Sequence, residues 1–279
     1  EAIAVTNAQM IHTLLTPIAV ALYGAAVVTL LAGLRGRVAV GRSGPIAFGL
    51  ALPALAVQGV VLWPSLWTSA GINLALFNAA ALLGWLMAAM LVLAAIRQPV
   101  YSLGLVVFPF AGITLVLAET LGVPGARPVA VGQPVDLHVI SSVAAYAVLG
   151  LATAQALLLA WQESALRHRR ARAVLGLLPP LQSMEALLFQ LLGSGFVLLS
   201  VALVSGWLFV DNLFAQDLVH KTVLSMLAWL VFAGLLTGRY RAGWRGRTAI
   251  RWTLAGVALL VLAYFGSKAV LELILNRPA

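Results

Sequence analysis

The sequence predicts an all-α, polytopic integral membrane protein of about eight transmembrane helices, with both termini on the outer (periplasmic) side. Three observations predict it. Hydrophobic residues make up 62% of the 279 positions and charged residues 9%, against roughly 25% charged in an average soluble domain. Apolar stretches of about 18 residues or more recur along the whole chain, each able to cross a hydrocarbon core with its backbone hydrogen-bonded internally. Lys and Arg gather in alternate loops.

Apolar spans between charged or Pro/Gly-rich breaks place helices near 13–34, 45–63, 72–96, 100–118, 137–162, 185–210, 219–238 and 252–273 within one transmembrane domain, 1–279. The first begins after Glu1–Gln9, which lack an initiator Met and a basic stretch and so do not read as a secretory signal. Met10 reads as a natural start or as the end of a foreign segment. The second runs up to Trp63, and the third carries Asn73 and Asn78 near its start. The fourth contains Pro109 and Gly112, which membrane helices tolerate. An outer loop, Glu119 to Asp136, leads to the fifth. An inner loop, Glu163 to Met184, holds an Arg cluster followed by Leu177-Leu178-Pro179-Pro180 and leads to the sixth. The seventh starts at His220 and the eighth ends with Lys268 and Glu272. There is no internal repeat, low-complexity tract or inverted pair of broken helices.

The charges orient these spans. Arg35, Arg37, Arg42, Arg97, Arg167, Arg169, Arg170, Arg172, Arg239, Arg241, Arg245, Arg247 and Arg251 all fall on one side, leaving only Arg127, Lys221, Lys268 and Arg277 of the 17 basic residues on the other. Positively charged loops stay inside. Glu119, Asp136, Asp211, Asp217 and Glu272 then lie outside. Trp63, Trp67 and Trp207 near the outer ends, and Trp161, Trp244 and Trp252 near the inner ends, fit interfacial aromatic belts.

The net charge of +9 is spread over short loops, so the partner it indicates is the lipid bilayer and not nucleic acid. The absence of Cys excludes disulfides, thiolate metal sites, Cys nucleophiles and covalent haem attachment. No hydrolytic triad, HExxH motif, phosphate loop or pair of intramembrane carboxylates is present. A non-enzymatic protein is expected, and a small-molecule or ion transporter is the least favoured class because the spans hold few midplane ionisable groups.

Three of the four His share one side: His12, His138 and His220 lie at the outer ends of helices 1, 5 and 7, while His168 lies in the inner basic loop. Neutral imidazoles from two helices at one depth suit the axial positions of a haem iron. Ser142 and Ala145 follow His138 at helical spacing as a small-residue face, and Leu224 and Leu227 lie below His220 as an apolar wall. Each His read alone is more simply a polar helix-end residue at the interface. Lys221, Lys268 and Arg127 are outer-side cations that suit haem propionates; Lys268 is also explained by an i, i+4 ion pair with Glu272 or by snorkelling. Gln58, Asn73 and Asn78 line a site or bond across helices as structural glue. Gly195, Leu199, Ala202 and Gly206 form a stripe that predicts a close helix contact.

The segments LHVISSVAAY (137–146), LPPLQSME (178–185), Ser205-Gly206, HKTVLS (220–225), Ala228-Trp229, GWRGR (243–247) and AYFGSK (263–268) resemble the YpjD/HemX branch of the CcsA/CcmC cytochrome c assembly superfamily, over a core of about 130–275. The resemblance implies a multi-pass protein of the bacterial inner membrane that handles non-covalent, b-type haem on the outer side, with His138 and His220 as the flanking axial ligands. It implies a role in cytochrome c biogenesis. Where the superfamily has a tryptophan-rich WWD segment, this chain has Trp207 to Asp217, a shorter stretch with a single Trp. The HemX side of the branch implies the alternative of a regulator or partner of another membrane protein that works without bound haem.

Overall fold

Eight helices each long and apolar enough to cross a membrane make up the described part of the chain. The computed structural model describes residues 2–68, 71–122, 135–167, 179–209 and 219–274. The helices are α1 (Ala2–Leu34), α2 (Val40–Leu66), α3 (Leu76–Ala95), α4 (Gly104–Leu121), α5 (Val135–Arg167), α6 (Leu181–Phe209), α7 (Val219–Ala242) and α8, which begins as Arg247–Val261. The chain is a polytopic membrane protein, as its composition predicts. Prolines 17, 45, 53, 64 and 109 all sit inside helices, positions that membrane helices tolerate.

Two features depart from a plain succession of helices. Between α2 and α3 the chain forms a minimal antiparallel pair, β1 (Trp67–Thr68) with β2 (Gly71–Ile72), Trp67 opposite Ile72. Beyond Val261, α8 continues through a π-turn (Leu262–Gly266), a short α segment (Ser267–Ala269) and a second π-turn (Val270–Ile274). Each π-turn re-aims the side chains beyond it relative to a straight helix.

The helices gather into two compact units. In the first, α1 packs on α2 and α4, and α3 packs on α4 and α2. Its interior holds Ala19, Val61, Leu62, Leu66, Ala81 and Leu115. Polar side chains join these helices: the Tyr23 hydroxyl donates to Gln58 Oε1 (2.8 Å), Gln58 Nε2 to the Ala81 carbonyl (3.3 Å), Asn78 Nδ2 to the Ser65 carbonyl (3.3 Å) and Trp85 Nε1 to the Leu55 carbonyl (2.9 Å). Asn73 Oδ1 accepts from the Ala75 amide at the start of α3 (3.0 Å). Of the two readings of these amides, structural glue across helices is the one that the contacts of Gln58 and Asn78 match, while the Asn73 side chain bonds locally.

In the second unit the packing is likewise cyclic: α5 on α6, α6 on α7, α7 on α8, and α8 back on α5. Helices α5 and α7 therefore stand diagonally across the bundle. Glycines let helices approach, as small residues do in membrane bundles. The ring of Phe232 and a methyl group of Leu149 occupy space that a Cβ at Gly256 and Gly195 would need (2.7 Å and 2.6 Å). Trp229 Nε1 donates to Ser200 Oγ (2.8 Å) and stacks on Phe196, joining α7 to α6. The Tyr146 hydroxyl donates to the Leu260 carbonyl (2.7 Å), joining α5 to α8 where the first π-turn begins.

The arginine-bearing end of this unit is also tied. Glu185 Oε1 accepts the Gly246 amide at the start of α8 (2.8 Å), Arg247 meets Glu163 (3.0 Å), and Arg239 lies over the Phe189 ring and donates to the Trp244 carbonyl. Gly243 and Gly246 have φ of 65° and 56°, left-handed values that glycine adopts without a Cβ penalty. They turn α7 into α8.

Candidate functional site

His138 lies one turn into α5 and its imidazole is turned onto α6. Its Nδ1–H donates to the Ala202 carbonyl at 2.8 Å, a carbonyl that also accepts from Ser205 Oγ (3.0 Å). A carbonyl only accepts, so Nδ1 holds the proton in the neutral ring and Nε2 keeps its lone pair. The ring fits where Gly206 has no side chain: a Cβ there would lie 2.9 Å from Cε1 and 3.0 Å from Nδ1, but 3.8 Å from Nε2. The predicted stripe on α6 is thus a contact with α5 at Gly195, Ala202 and Gly206, and at its upper end it is a seat for the imidazole.

A ring nitrogen fixed by a hydrogen bond to a backbone carbonyl, with the other nitrogen left basic, is the arrangement that orients metal-binding histidines. The donor chemistry at His138 therefore fits a haem iron. His220 is the second residue of α7 and is exposed. Leu224 and Leu227 follow it on the same helix, Leu227 exposed as well. Because α5 and α7 stand diagonally, separated by α6 and α8, the two His mark opposite corners of the same end of the unit. No group of three or more His, Asp or Glu suited to a bare metal ion occurs among the described residues.

The same end carries charge on α8. Lys268 Nζ is 3.6 Å from Glu272 Oε1, with side chains 11% and 1% exposed, and lies over the Tyr264 ring at 5.7 Å. Tyr264 in turn packs edge-on against Tyr146 of α5. Of the explanations the sequence left open for Lys268, the i, i+4 pair is present. Lys221, the residue after His220, is half-buried and near enough for its charge to act on Lys268. Arg127, His168 and residues 210–217 of the Trp207–Asp217 stretch lie outside the described residues, and for His12 only the backbone is described. Trp207 itself is 73% exposed on the last turn of α6.

Residues 50–275 match the model of a family described as cytochrome C assembly protein. The match reaches further toward the N-terminus than the motifs at 130–275 do. The chain is 35% identical to inner membrane protein YpjD of Escherichia coli strain K12, over 73% of this chain and 77% of that one. It is 33% identical to an uncharacterized 28.8 kDa protein of Azospirillum brasilense, over 66% and 70%. Over 30% of its length it is 26% identical to cytochrome c biogenesis protein CcsA of Prochlorococcus marinus strain MIT 9303, covering 27% of that protein. No solved structure matches the chain significantly.

Proposed function

The chain belongs to the cytochrome C assembly protein family, and from that premise we propose that it is a non-enzymatic haem-binding and haem-handling protein of a bacterial inner membrane. His138 and His220 are its axial ligands, and the end of the α5–α8 unit that bears them faces outward. The observation that carries this reading is the seat of His138. Its Nδ1 is tied to the Ala202 carbonyl and its ring lies in the space left by Gly206, which leaves Nε2 as the basic nitrogen.

A bound haem supplies an iron that accepts axial nitrogen ligands. The protein's part is positional. The Ala202 carbonyl holds the His138 tautomer and ring direction, a role that second partners of ligating histidines commonly play. The exposed His220, at the opposite corner, is free to adopt the rotamer that a second ligand requires. The YpjD likeness favours the inner membrane, and the distribution of Arg favours an outward-facing His end.

The test is the absorption spectrum and pyridine haemochrome of protein purified under ample haem supply, as wild type, His138→Ala and His220→Ala. A Soret band in the wild type that shifts or is lost in each variant is the expected result. A colourless wild type that gives no saturable change on haem titration would sink the reading. The alternative, a haem-free partner or regulator of another membrane protein, is favoured by the single Trp of the Trp207–Asp217 stretch. It predicts a co-purifying protein that both His variants retain.

A further inference from the structure

At the His-bearing end of the α5–α8 unit, α8 holds a Lys and a Glu withdrawn from solvent, and neither is an axial ligand in the set above. Ionisable side chains within a membrane span are costly and mark functional sites. A buried ion pair recovers its desolvation cost only with excellent geometry. Here the geometry is loose: the 3.6 Å between Lys268 Nζ and Glu272 Oε1 exceeds the roughly 2.7–2.9 Å of a tight ammonium–carboxylate hydrogen bond. An ammonium has three donors, and this one meets one carboxylate oxygen and a tyrosine face.

The position of the pair adds to this. Lys268 sits on the short α segment between two π-turns, a backbone irregularity that recurs at functional sites. Helix α8 packs on both α5 and α7, the helices that carry the two His. Tyr264, one turn before Lys268, faces Tyr146 of α5, and Lys221, the neighbour of His220, is within electrostatic reach. Lys268 is therefore placed between the elements of the haem site and carries the charge that an acidic porphyrin edge needs.

We propose that Lys268 receives a carboxylate of the haem held at His138, and that Glu272 occupies that place until the ligand arrives. The inference rests on the haem-binding reading and adds a cycle to it: the incoming propionate takes over the ammonium from Glu272, and Glu272 reclaims it on release. The Lys268–Glu272 contact is then a place-holder that keeps the empty site charge-compensated and lowers the barrier to letting haem go.

The experiment compares spectral titrations with haemin and with its dimethyl ester, which keeps the iron and ring but lacks free carboxylates. The wild type is expected to bind haemin about tenfold or more tightly than the ester, as suits one charge-assisted hydrogen bond. Lys268→Met alone would take the cation from the buried Glu272 and endanger folding, so the double variant Lys268→Met/Glu272→Gln is used, and it is expected to bind both porphyrins equally. Glu272→Gln alone, with no competing carboxylate, is expected to tighten haemin binding and leave the ester unchanged. Equal affinity of the wild type for the two porphyrins, with a Soret change that depends on His138, would overturn this inference and leave the haem reading standing. So would discrimination that survives in the double variant. A wild type with no saturable change for either porphyrin overturns both.

Discussion

The imidazole of His138 rests against Gly206 so closely that a methyl group on that glycine would lie 2.9 Å from its Cε1. The ring's direction is therefore set by a neighbouring helix and by what that helix omits. Gly206→Ala is expected to displace the ring by a few tenths of an ångström, break its bond to the Ala202 carbonyl and weaken haem binding about tenfold, read as a shifted Soret band. Gly193→Ala on the same helix, where a Cβ meets nothing within 4 Å, is expected to leave the spectrum alone. Identical spectra for both variants would refute the seating argument.

Two glutamates at the arginine-bearing end are expected to differ in what they contribute. Glu185, from a helix distant in sequence, accepts the amide of Gly246, the residue that precedes α8, and Glu185→Ala should cost about 1 kcal/mol, as loss of a helix cap does. In the Glu163–Arg247 pair the arginine side chain is 57% exposed and the glutamate 27%, so water screens their attraction, and Glu163→Ala should cost less than about 1 kcal/mol. Thermal unfolding in detergent separates them; equal midpoints would remove the capping role of Glu185.

In the first unit, Tyr23→Phe deletes the hydroxyl that donates to the buried Gln58. Hydrogen bonds between membrane helices contribute on average about 0.6 kcal/mol and at most about 1.7. A loss in that range is expected, measured as a lowered unfolding midpoint. No change would show that Gln58 Oε1 finds another donor.

Orientation can be read against a clean background because the chain has no Cys. Leu121→Cys and Gln98→Cys put exposed thiols near opposite ends of α4. With an impermeant maleimide on intact cells, position 121 is expected to label and position 98 to stay protected. The reverse pattern would invert the topology and move the haem site to the cytoplasmic side.

The eight spans were legible because lipid solvation writes them into composition and length. Pro109 and Gly112 did not interrupt α4, since a membrane helix has no competing solvent to take over its backbone. The glycine stripe on α6 announced a close contact, and the amides at 58 and 78 announced hydrogen bonds, but their partners lie on other helices and local spacing carries no trace of them. The hold of Glu185 on Gly246 spans 61 positions and that of His138 on Ala202 spans 64. The π-turns of α8 left no signal at all: each depends on one residue's worth of extra winding, within a run as apolar as any other.

The cyclic packing of the second unit has a consequence for how the protein is made. Three of its four helix contacts join neighbours in sequence, so each helix can dock as it leaves the insertion machinery. The fourth, α8 on α5, closes across 114 positions through Tyr146 and Leu260. Lys268 arrives with that last helix. During synthesis the two histidines therefore enter the membrane before Lys268 does, and on the reading proposed above the carboxylate-receiving site forms only once α8 is in place.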